Sequence, residues 1–222
     1  MQVLDPDRVL GLVLDLDGTL VDSYAPIASG VNHARSSLGL PPLSLDDVRA
    51  RVGHGLESLM ADVVGEENVE EGVRLFREEY ARVFAEGTTA LPRAVEVLRE
   101  LRERGYRLSV ASNKPARFGE PILERLGMRA YLDAVEGPDR VGSTKPDPAM
   151  VQACLRAMGV AAERAAYVGD MVLDVETAAM ARIPVILVPG GSSPRADLRD
   201  TGELLLTGLP DLLTLLPAKP GS

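Results

Sequence analysis

The 222-residue sequence contains a single cysteine, Cys154. One cysteine cannot form a disulfide within the chain, and its apolar neighbours predict a small core residue instead of a nucleophile. No apolar run reaches the ~18 residues that a membrane-spanning helix needs. Residues 1–7 are acidic where a secretory signal would be basic, so we expect no such signal. These absences predict a cytoplasmic protein without a membrane partner.

Positive charge is also scarce. The 24 Lys and Arg residues are outnumbered by 33 Asp and Glu residues, which gives a formal net charge of −9. This balance argues against a broad nucleic-acid surface, because such a surface needs clustered Lys and Arg. The hydrophobic fraction of 45% is ordinary for a globular protein, and the length allows a core with a smaller appendage.

Short apolar runs alternate with helical patterns along most of the chain. The runs predict strands at residues 9–15, 107–112, 165–170, 184–188 and 203–206, with a weaker sixth at 131–135. The intervening patterns predict helices at residues 92–104, 118–126, 149–158 and 174–181. Strand and helix in repeated alternation predict an α/β fold, a Rossmann-like doubly wound parallel sheet covered on both faces.

A long segment interrupts this alternation. Residues 24–86 contain no convincing strand and show helical patterns at 27–38, 45–51, 56–64 and 69–84. Connections this long usually serve a function, and the apolar positions suffice for a small bundle. We therefore predict a core domain of residues 1–20 and 88–222 with an inserted all-helical domain, residues 21–87, and hinges at 20–24 and 87–92.

Two carboxylates follow the first predicted strand, two residues apart. Alternation along a continuing strand places Asp15 and Asp17 on the same side, where they repel one another. A bound cation or one raised pKa must compensate for this repulsion. The pair suits a nucleophile and a general acid beside a divalent metal, although a solvated acidic turn would give the same pattern.

Two further polar residues end predicted strands. Ser112 and Asp170 occupy the same position in their strands as Asp15 does in the first. In parallel α/β sheets the ligand crevice lies outside the carboxyl ends of the strands. The sequence therefore predicts that these three residues meet at one edge of the sheet.

The run Asp-Leu-Asp-Gly-Thr-Leu-Val-Asp-Ser at residues 15–23 resembles the first signature of the haloacid dehalogenase superfamily of phosphohydrolases. The family pattern continues in order along the chain. Ser112 closes a second strand, Lys145 follows in Gly-Ser-Thr-Lys-Pro-Asp-Pro, and Asp170 with Asp174 forms a late acidic pair. The resemblance implies that the inserted helices are a cap domain that closes over the active site.

The resemblance also implies a mechanism. Asp15 would attack phosphorus and form an aspartyl-phosphate, while Asp17 would protonate the leaving oxygen and later activate water. Mg²⁺ would be held by the carboxylates of Asp15 and Asp170 and by the backbone carbonyl of Asp17. Asp174 would ligate the metal directly or through a water.

The remaining core residues would bind the phosphate. Ser112 would donate a hydrogen bond, Lys145 would supply a positive charge, and Gly18 and Thr19 would offer backbone amides. Met171 departs from the pattern, because many members of the family have a serine there. Asp17 argues against dehalogenation, since relatives with that activity lack the carboxylate.

The substrate is expected to be a small phosphorylated metabolite. Residues 112–115 (Ser-Asn-Lys-Pro) and 52–55 (Val-Gly-His-Gly) resemble the phosphoglycolate phosphatase branch, which implies 2-phosphoglycolate. Asn113 joins the substrate-binding residues by this likeness, and Arg51 and His54 are candidates to read the substrate carboxylate.

Several alternatives stay open at this stage. Within enzymes these are a sugar-phosphate or nucleotide phosphatase, or a phosphoglucomutase-like transfer enzyme. Outside enzymes the alternative is a phosphometabolite-binding regulatory module. We expect a monomer or a homodimer.

Overall fold

The computed structural model describes residues 4–219. In chain order its strands are β1 (Gly11–Leu14), β2 (Val21–Asp22), β3 (Thr89–Ala90), β4 (Arg107–Ala111), β5 (Ala134–Glu136), β6 (Ala165–Gly169), β7 (Val185–Leu187) and β8 (Leu204–Leu205). Its α-helices are α1 (Tyr24–Ser37), α2 (Leu45–Arg49), α3 (Leu56–Val64), α4 (Val69–Gly87), α5 (Ala94–Glu103), α6 (Ala116–Arg125), α7 (Pro138–Val141), α8 (Ala149–Met158), α9 (Val172–Ala181), α10 (Arg195–Asp200) and α11 (Leu212–Leu215).

Six of the strands form one parallel sheet in the order β5-β4-β1-β6-β7-β8. Leu12 and Leu14 of β1 face an apolar cluster that includes α5, α6 and α11, while Val13 faces a second cluster with α8, α9 and α10. The central strand is therefore buried on both sides, which explains its continuous apolar sequence. The predicted doubly wound α/β fold is confirmed, and Cys154 is buried in the second cluster.

The segment between β2 and β3 is helical. Helices α1 to α4 share an apolar cluster of their own, with Tyr24, Met60 and Phe76 among its buried members. β2 and β3 pair antiparallel, Val21 with Ala90, where the chain leaves and re-enters the sheet layer, and neither strand was predicted. That the helices form a separate cap domain, residues 21–87, stays a proposal. The ends of the proposed core, residues 1–3 and 220–222, lie outside the described residues.

Within residues 4–219, no helix is both long enough and apolar enough to cross a membrane.

Candidate active site

The central side chains of the candidate site follow three adjacent strands of the sheet. Asp15 directly follows β1, Ser112 follows β4 and Asp170 follows β6, and these strands are neighbours in the sheet. Asp174, in the first turn of α9, joins Asp15 and Asp170, so that one carboxylate oxygen from each lies within 4.8 Å of the others. All three aspartates are buried. The carboxyl edge of the sheet thus concentrates negative charge in a small volume.

Lys145 partly neutralises this charge. Its Nζ atom lies 3.0 Å from Asp15 Oδ1 and donates a hydrogen bond to Asp174 Oδ1 at 2.8 Å. A longer contact of 3.4 Å joins it to the Tyr167 hydroxyl, a residue that the sequence did not single out. Burial opposes the charge on Lys145, but Asp15 and Asp174 outweigh it and hold the Lys145 pKa well above its ordinary value. Lys145 is therefore a fixed cation beside Asp15.

Asp170 is oriented by two hydrogen bonds. The Thr19 hydroxyl donates to Oδ1 and the Ser192 amide donates to Oδ2, both at 2.8 Å. Gly18 has φ +86°, and a Cβ atom there would lie 2.6 Å from Asp170 Oδ2. Glycine is therefore required both for the turn and for the close approach of the carboxylate.

Asp174 has a structural role alongside any metal role. Its Oδ2 atom accepts hydrogen bonds from the backbone amides of Asp170 and Met171, each at 3.0 Å. A carboxylate in the first turn of a helix satisfies unpaired amides and interacts favourably with the helix dipole. Since Lys145 occupies the other oxygen, Asp174 fixes both the start of α9 and the position of Lys145.

Asp17 has different partners from the aspartate cluster. Its Oδ1 atom accepts hydrogen bonds from the Ser23 hydroxyl and the Lys114 ammonium group. Lys114 is buried, and burial alone would favour its neutral form, but Asp17 outweighs that effect and raises the Lys114 pKa above its ordinary value. The two aspartates at positions 15 and 17 thus each have their own lysine, at 145 and 114 respectively. No role for Lys114 was predicted from the sequence.

Ser112 and Asn113 are both buried and line the cavity described below, but they differ in their partners. Ser112 Oγ accepts the Lys114 amide at 3.3 Å, which leaves the hydroxyl proton for a phosphate oxygen. Asn113 donates to the Gly53 carbonyl at 2.8 Å and accepts from the Lys145 amide at 2.7 Å. Because both ends of its amide have protein partners, Asn113 links the turn before α3 to Lys145. It keeps a second amide proton beside the cavity, and its substrate contact stays a prediction.

The backbone amides of Gly18 and Thr19 also have internal partners. Gly18 donates to the Val21 carbonyl at 2.8 Å, and Thr19 donates to the Leu16 carbonyl at 3.3 Å. These bonds close the turn after β1. The predicted phosphate contacts from the two amides are therefore not supported, and the Thr19 contribution that the structure does show is its hydroxyl group.

A cavity of about 330 Å³ opens from Asp15 and Asp17 toward α1, α3 and α4. Its lining includes Val52, Gly53, Leu56, Leu59, Phe76 and Tyr80 from the helical segment and Ser112, Asn113, Lys114 and Lys145 from the sheet side. The carboxylates thus lie at one end of a largely apolar chamber. Volumes of this order lie at the lower end of the ~300–1,000 Å³ typical of small-molecule sites.

Arg51 and His54 do not line this cavity. The Arg51 guanidinium lies 3.2 Å from Asp62 in an ion pair, and His54 is exposed. The turn between α2 and α3 instead presents Gly53 to the cavity. The prediction that Arg51 and His54 read a substrate carboxylate is therefore not supported by their positions.

Met171 fills the space above Gly53. A Cβ atom at Gly53 would lie 2.2 Å from Met171 Cε, and Gly53 has φ +136°. Met171 thus packs its side chain against the turn of the helical segment. The turn and the sheet side are held together here by this contact and by the Asn113 hydrogen bond.

The aspartate cluster fits a hard divalent cation. Asp15, Asp170 and Asp174 offer only oxygen donors, and Lys145 is their one close cationic partner among residues 4–219. Burial raises the pKa of Asp15 to about 6. Lys145 lowers this pKa, whereas the charges of Asp174 and Asp17 raise it further. Burial, Asp15 and Asp174 likewise raise the Asp170 pKa well above its ordinary value. Mg²⁺ prefers oxygen ligands and needs only one or two protein carboxylates, so this donor set suits it.

Thermal unfolding should therefore respond to Mg²⁺ in a pH-dependent way. The Asp15 pKa rises from an ordinary value of 3.8 to about 6 on folding, so the folded metal-free protein binds more protons between these values. Stability without metal should fall as pH rises through this window, because the unfolded chain releases those protons more readily. Mg²⁺ binding should offset the loss. We expect a larger Mg²⁺-induced rise in Tm at pH 7.5 than at pH 5, and equal rises would contradict the assignment.

Comparison with known proteins identifies the family of this chain. Residues 12–188 match the model of the haloacid dehalogenase-like hydrolase family. Phosphoglycolate phosphatase 1 of Pseudomonas aeruginosa is 32% identical over 212 residues, which cover 91% of this chain and 78% of that protein. The phosphoglycolate phosphatase of Chromobacterium violaceum is 31% identical over 217 residues, with coverages of 94% and 97%.

A solved structure shares the fold. The crystal structure of a predicted phosphoglycolate phosphatase from Haemophilus somnus has a TM-score of 0.81 and 25% identity, and the match covers 94% of this chain and 98% of that one. The family match spans well over half of the chain and includes the aspartates that follow β1 and β6. The chain belongs to the haloacid dehalogenase-like hydrolase family.

Proposed function

We propose that the protein hydrolyses 2-phosphoglycolate with Mg²⁺ as cofactor, through an aspartyl-phosphate on Asp15. The coarser class, a phosphoric monoester hydrolase, follows from the family and from the named relatives. One observation carries the proposal. Asp15, Asp170 and Asp174 meet beside Lys145 at the carboxyl ends of adjacent strands, at one end of a cavity.

In the first chemical step Asp15 is the nucleophile, and Lys145 and Ser112 contact the phosphoryl group. A carboxylate oxygen of Asp15 attacks phosphorus, and the bond between phosphorus and the ester oxygen breaks. Lys145 stabilises the negative charge that the phosphoryl oxygens carry, while the Ser112 hydroxyl donates to one of them. Bound Mg²⁺ would be held by Asp15, Asp170 and the backbone carbonyl of Asp17, with Asp174 as a ligand directly or through a water, and it would neutralise phosphate charge.

Asp17 handles the protons in both steps. It donates a proton to the departing ester oxygen, and afterwards it accepts one from the water that cleaves the aspartyl-phosphate. The hydrogen bonds from Lys114 and Ser23 hold its Oδ1 atom, which leaves Oδ2 to face the reacting oxygen. This division explains why Asp17 is paired apart from the aspartate cluster.

The choice of 2-phosphoglycolate rests on two kinds of support. Relatives that cover nearly the whole chain carry that name. Apolar residues of α3 and α4 line the cavity opposite the carboxylates, and such a surface would limit water around a small bound ester. A sugar-phosphate or nucleotide phosphatase, a mutase-like enzyme and a non-catalytic binding module stay as alternatives.

Phosphate release from a panel of esters tests this proposal. The panel contains 2-phosphoglycolate, glucose phosphates, a nucleoside monophosphate and p-nitrophenyl phosphate, each with Mg²⁺. We expect the highest kcat/KM for 2-phosphoglycolate and steady release of inorganic phosphate. A mutase-like enzyme would instead convert glucose phosphates with little release, and a binding module would release none. Preference for another ester would refute the assigned substrate and leave the phosphatase class intact.

A further inference from the structure

Tyr80 presents a buried hydroxyl group to the cavity, and the mechanism above makes no use of it. The residue lies on α4, is 3% exposed and lines the cavity together with Asp17 and Lys114. Among residues 4–219, no side chain or backbone group accepts a hydrogen bond from this hydroxyl. A buried polar group that lacks such a partner is costly and calls for an explanation. A bound ligand would supply the missing acceptor.

The ring of Tyr80 is fixed by other aromatic side chains. Phe76 stacks on it at 5.1 Å between centroids, Phe84 lies at 5.7 Å, and Phe118 meets it edge-on at 5.3 Å. This packing sets the direction of the hydroxyl group without involving its oxygen atom. Replacing the hydroxyl by hydrogen would therefore leave the ring in place.

Lys114 lies next to this hydroxyl. Its Nζ atom is 5.7 Å from the centroid of the Tyr80 ring and donates to Asp17 and, at 3.2 Å, to Ser23. An ammonium group has three donors and no acceptor, so Lys114 cannot accept the proton of the Tyr80 hydroxyl. Tyr80 therefore offers a hydrogen-bond donor, and Lys114 a positive charge, to the same part of the cavity.

We propose that Tyr80 and Lys114 bind the carboxylate of the substrate's leaving group. This inference rests on the proposed function, because Asp17 must face the ester oxygen that it protonates. The leaving group then lies on the Asp17 side, where Lys114 contacts Asp17. In 2-phosphoglycolate the carboxyl carbon is two bonds from the ester oxygen, so its carboxylate falls beside Lys114. The Tyr80 hydroxyl then donates to a carboxylate oxygen, a charge-assisted hydrogen bond.

Two arginines also line the cavity, but they are weaker candidates. The Arg77 side chain is 49% exposed and pairs with Glu57 at 3.4 Å, and the Arg117 side chain is 52% exposed and lies 3.9 Å from Asp139. Solvent and these partners reduce what either arginine can offer a ligand. Tyr80 and Lys114 are both buried, so their donors act where water competes less.

Binding of two matched phosphonates tests the inference without requiring turnover. 3-Phosphonopropionate replaces the ester oxygen of 2-phosphoglycolate by carbon, and propylphosphonate has a methyl group in place of its carboxylate. Calorimetry with saturating Mg²⁺ would use the full chain, Tyr80→Phe and the control Tyr131→Phe, in which the same change falls outside the cavity. Lys114 is not substituted, because its loss would also free Asp17.

We expect the unmodified protein and Tyr131→Phe to bind the carboxylate-bearing phosphonate at least ~10-fold more tightly than propylphosphonate. In Tyr80→Phe this preference should fall by about 10-fold, with propylphosphonate binding unchanged. An unchanged preference in Tyr80→Phe, equal losses for both ligands, or no preference in the unmodified protein would overturn the inference. If the preference behaves as expected but 2-phosphoglycolate is not hydrolysed, the subsite stands and the proposed substrate fails.

Discussion

Asp15→Asn should retain less than ~0.1% of the parental phosphatase activity, because a neutral amide replaces the nucleophilic carboxylate that forms the bond to phosphorus. The amide has nearly the same shape, and it replaces a buried carboxylate whose pKa burial already raises to about 6. The fold should therefore survive the change. Steady-state phosphate release, measured on 2-phosphoglycolate and on p-nitrophenyl phosphate, would show the loss on both esters.

A matched substitution separates chemistry from charge. Asp139→Asn changes an aspartate that lines the same cavity but accepts hydrogen bonds from the amides at the start of α6. We expect it to lose far less activity than Asp15→Asn, since it lies outside the carboxylate cluster. Substantial activity in a folded Asp15→Asn protein would exclude Asp15 as the nucleophile.

Removal of the metal should abolish turnover, and added Mg²⁺ should restore it. Ca²⁺ should inhibit, because its larger and looser coordination sphere would misplace the carboxylates. Asp170→Asn should raise the Mg²⁺ concentration for half-maximal activity by at least ~10-fold, the loss typical even of groups outside the ligand shell. Activity titrated with Mg²⁺ after chelation gives both results.

The control for this titration is Asp197→Asn, an exposed aspartate on α10. Its Mg²⁺ requirement should match that of the parent. The Tm of Asp170→Asn should also respond less to Mg²⁺ than the parental Tm, which gives a readout that does not depend on turnover. Full activity in excess chelator would contradict a metal-dependent mechanism.

The sheet could be predicted from the sequence because its strands are short and parallel, and its central strands are buried on both faces. Strands of this kind have continuous apolar sequences, and glycines after helices such as Gly105 and Gly159 mark the helix ends. α3 and α8 have the predicted bounds. β2 and β3 were missed because two residues each give no periodic pattern, and only their pairing in space defines them.

Part of the candidate site follows from chain position and part depends on contacts across the fold. Asp15, Ser112 and Asp170 each follow a strand, which is a local signal. Asp17 and Lys114 form an ion pair although they are 97 positions apart in the sequence, so no sequence pattern indicates this pair. The role of Tyr80 could not be predicted from the sequence for a different reason.

The spacing of Phe76, Tyr80 and Phe84 is four residues, which on a helix indicates a buried apolar stripe. Tyr80 does lie in that stripe, and only the structure shows that its hydroxyl group points out of it without an acceptor. Arg51 and His54 were predicted to bind the substrate carboxylate because they are polar side chains near glycines. Gly53 instead brings backbone to the cavity and Met171, and Arg51 and His54 lie outside the cavity lining.

Trapping the phosphorylated enzyme tests the central claim most directly. Asp17→Asn should still be phosphorylated by p-nitrophenyl phosphate, whose leaving group needs no proton, and should lose the phosphate slowly. Acid quenching followed by borohydride reduction converts an aspartyl-phosphate to homoserine, which mass spectrometry locates in the sequence. The account predicts homoserine at position 15 in Asp17→Asn and none in the Asp15→Asn, Asp17→Asn double variant. Homoserine at another position, or hydrolysis of p-nitrophenyl phosphate by Asp17→Asn with no label at position 15, would contradict it.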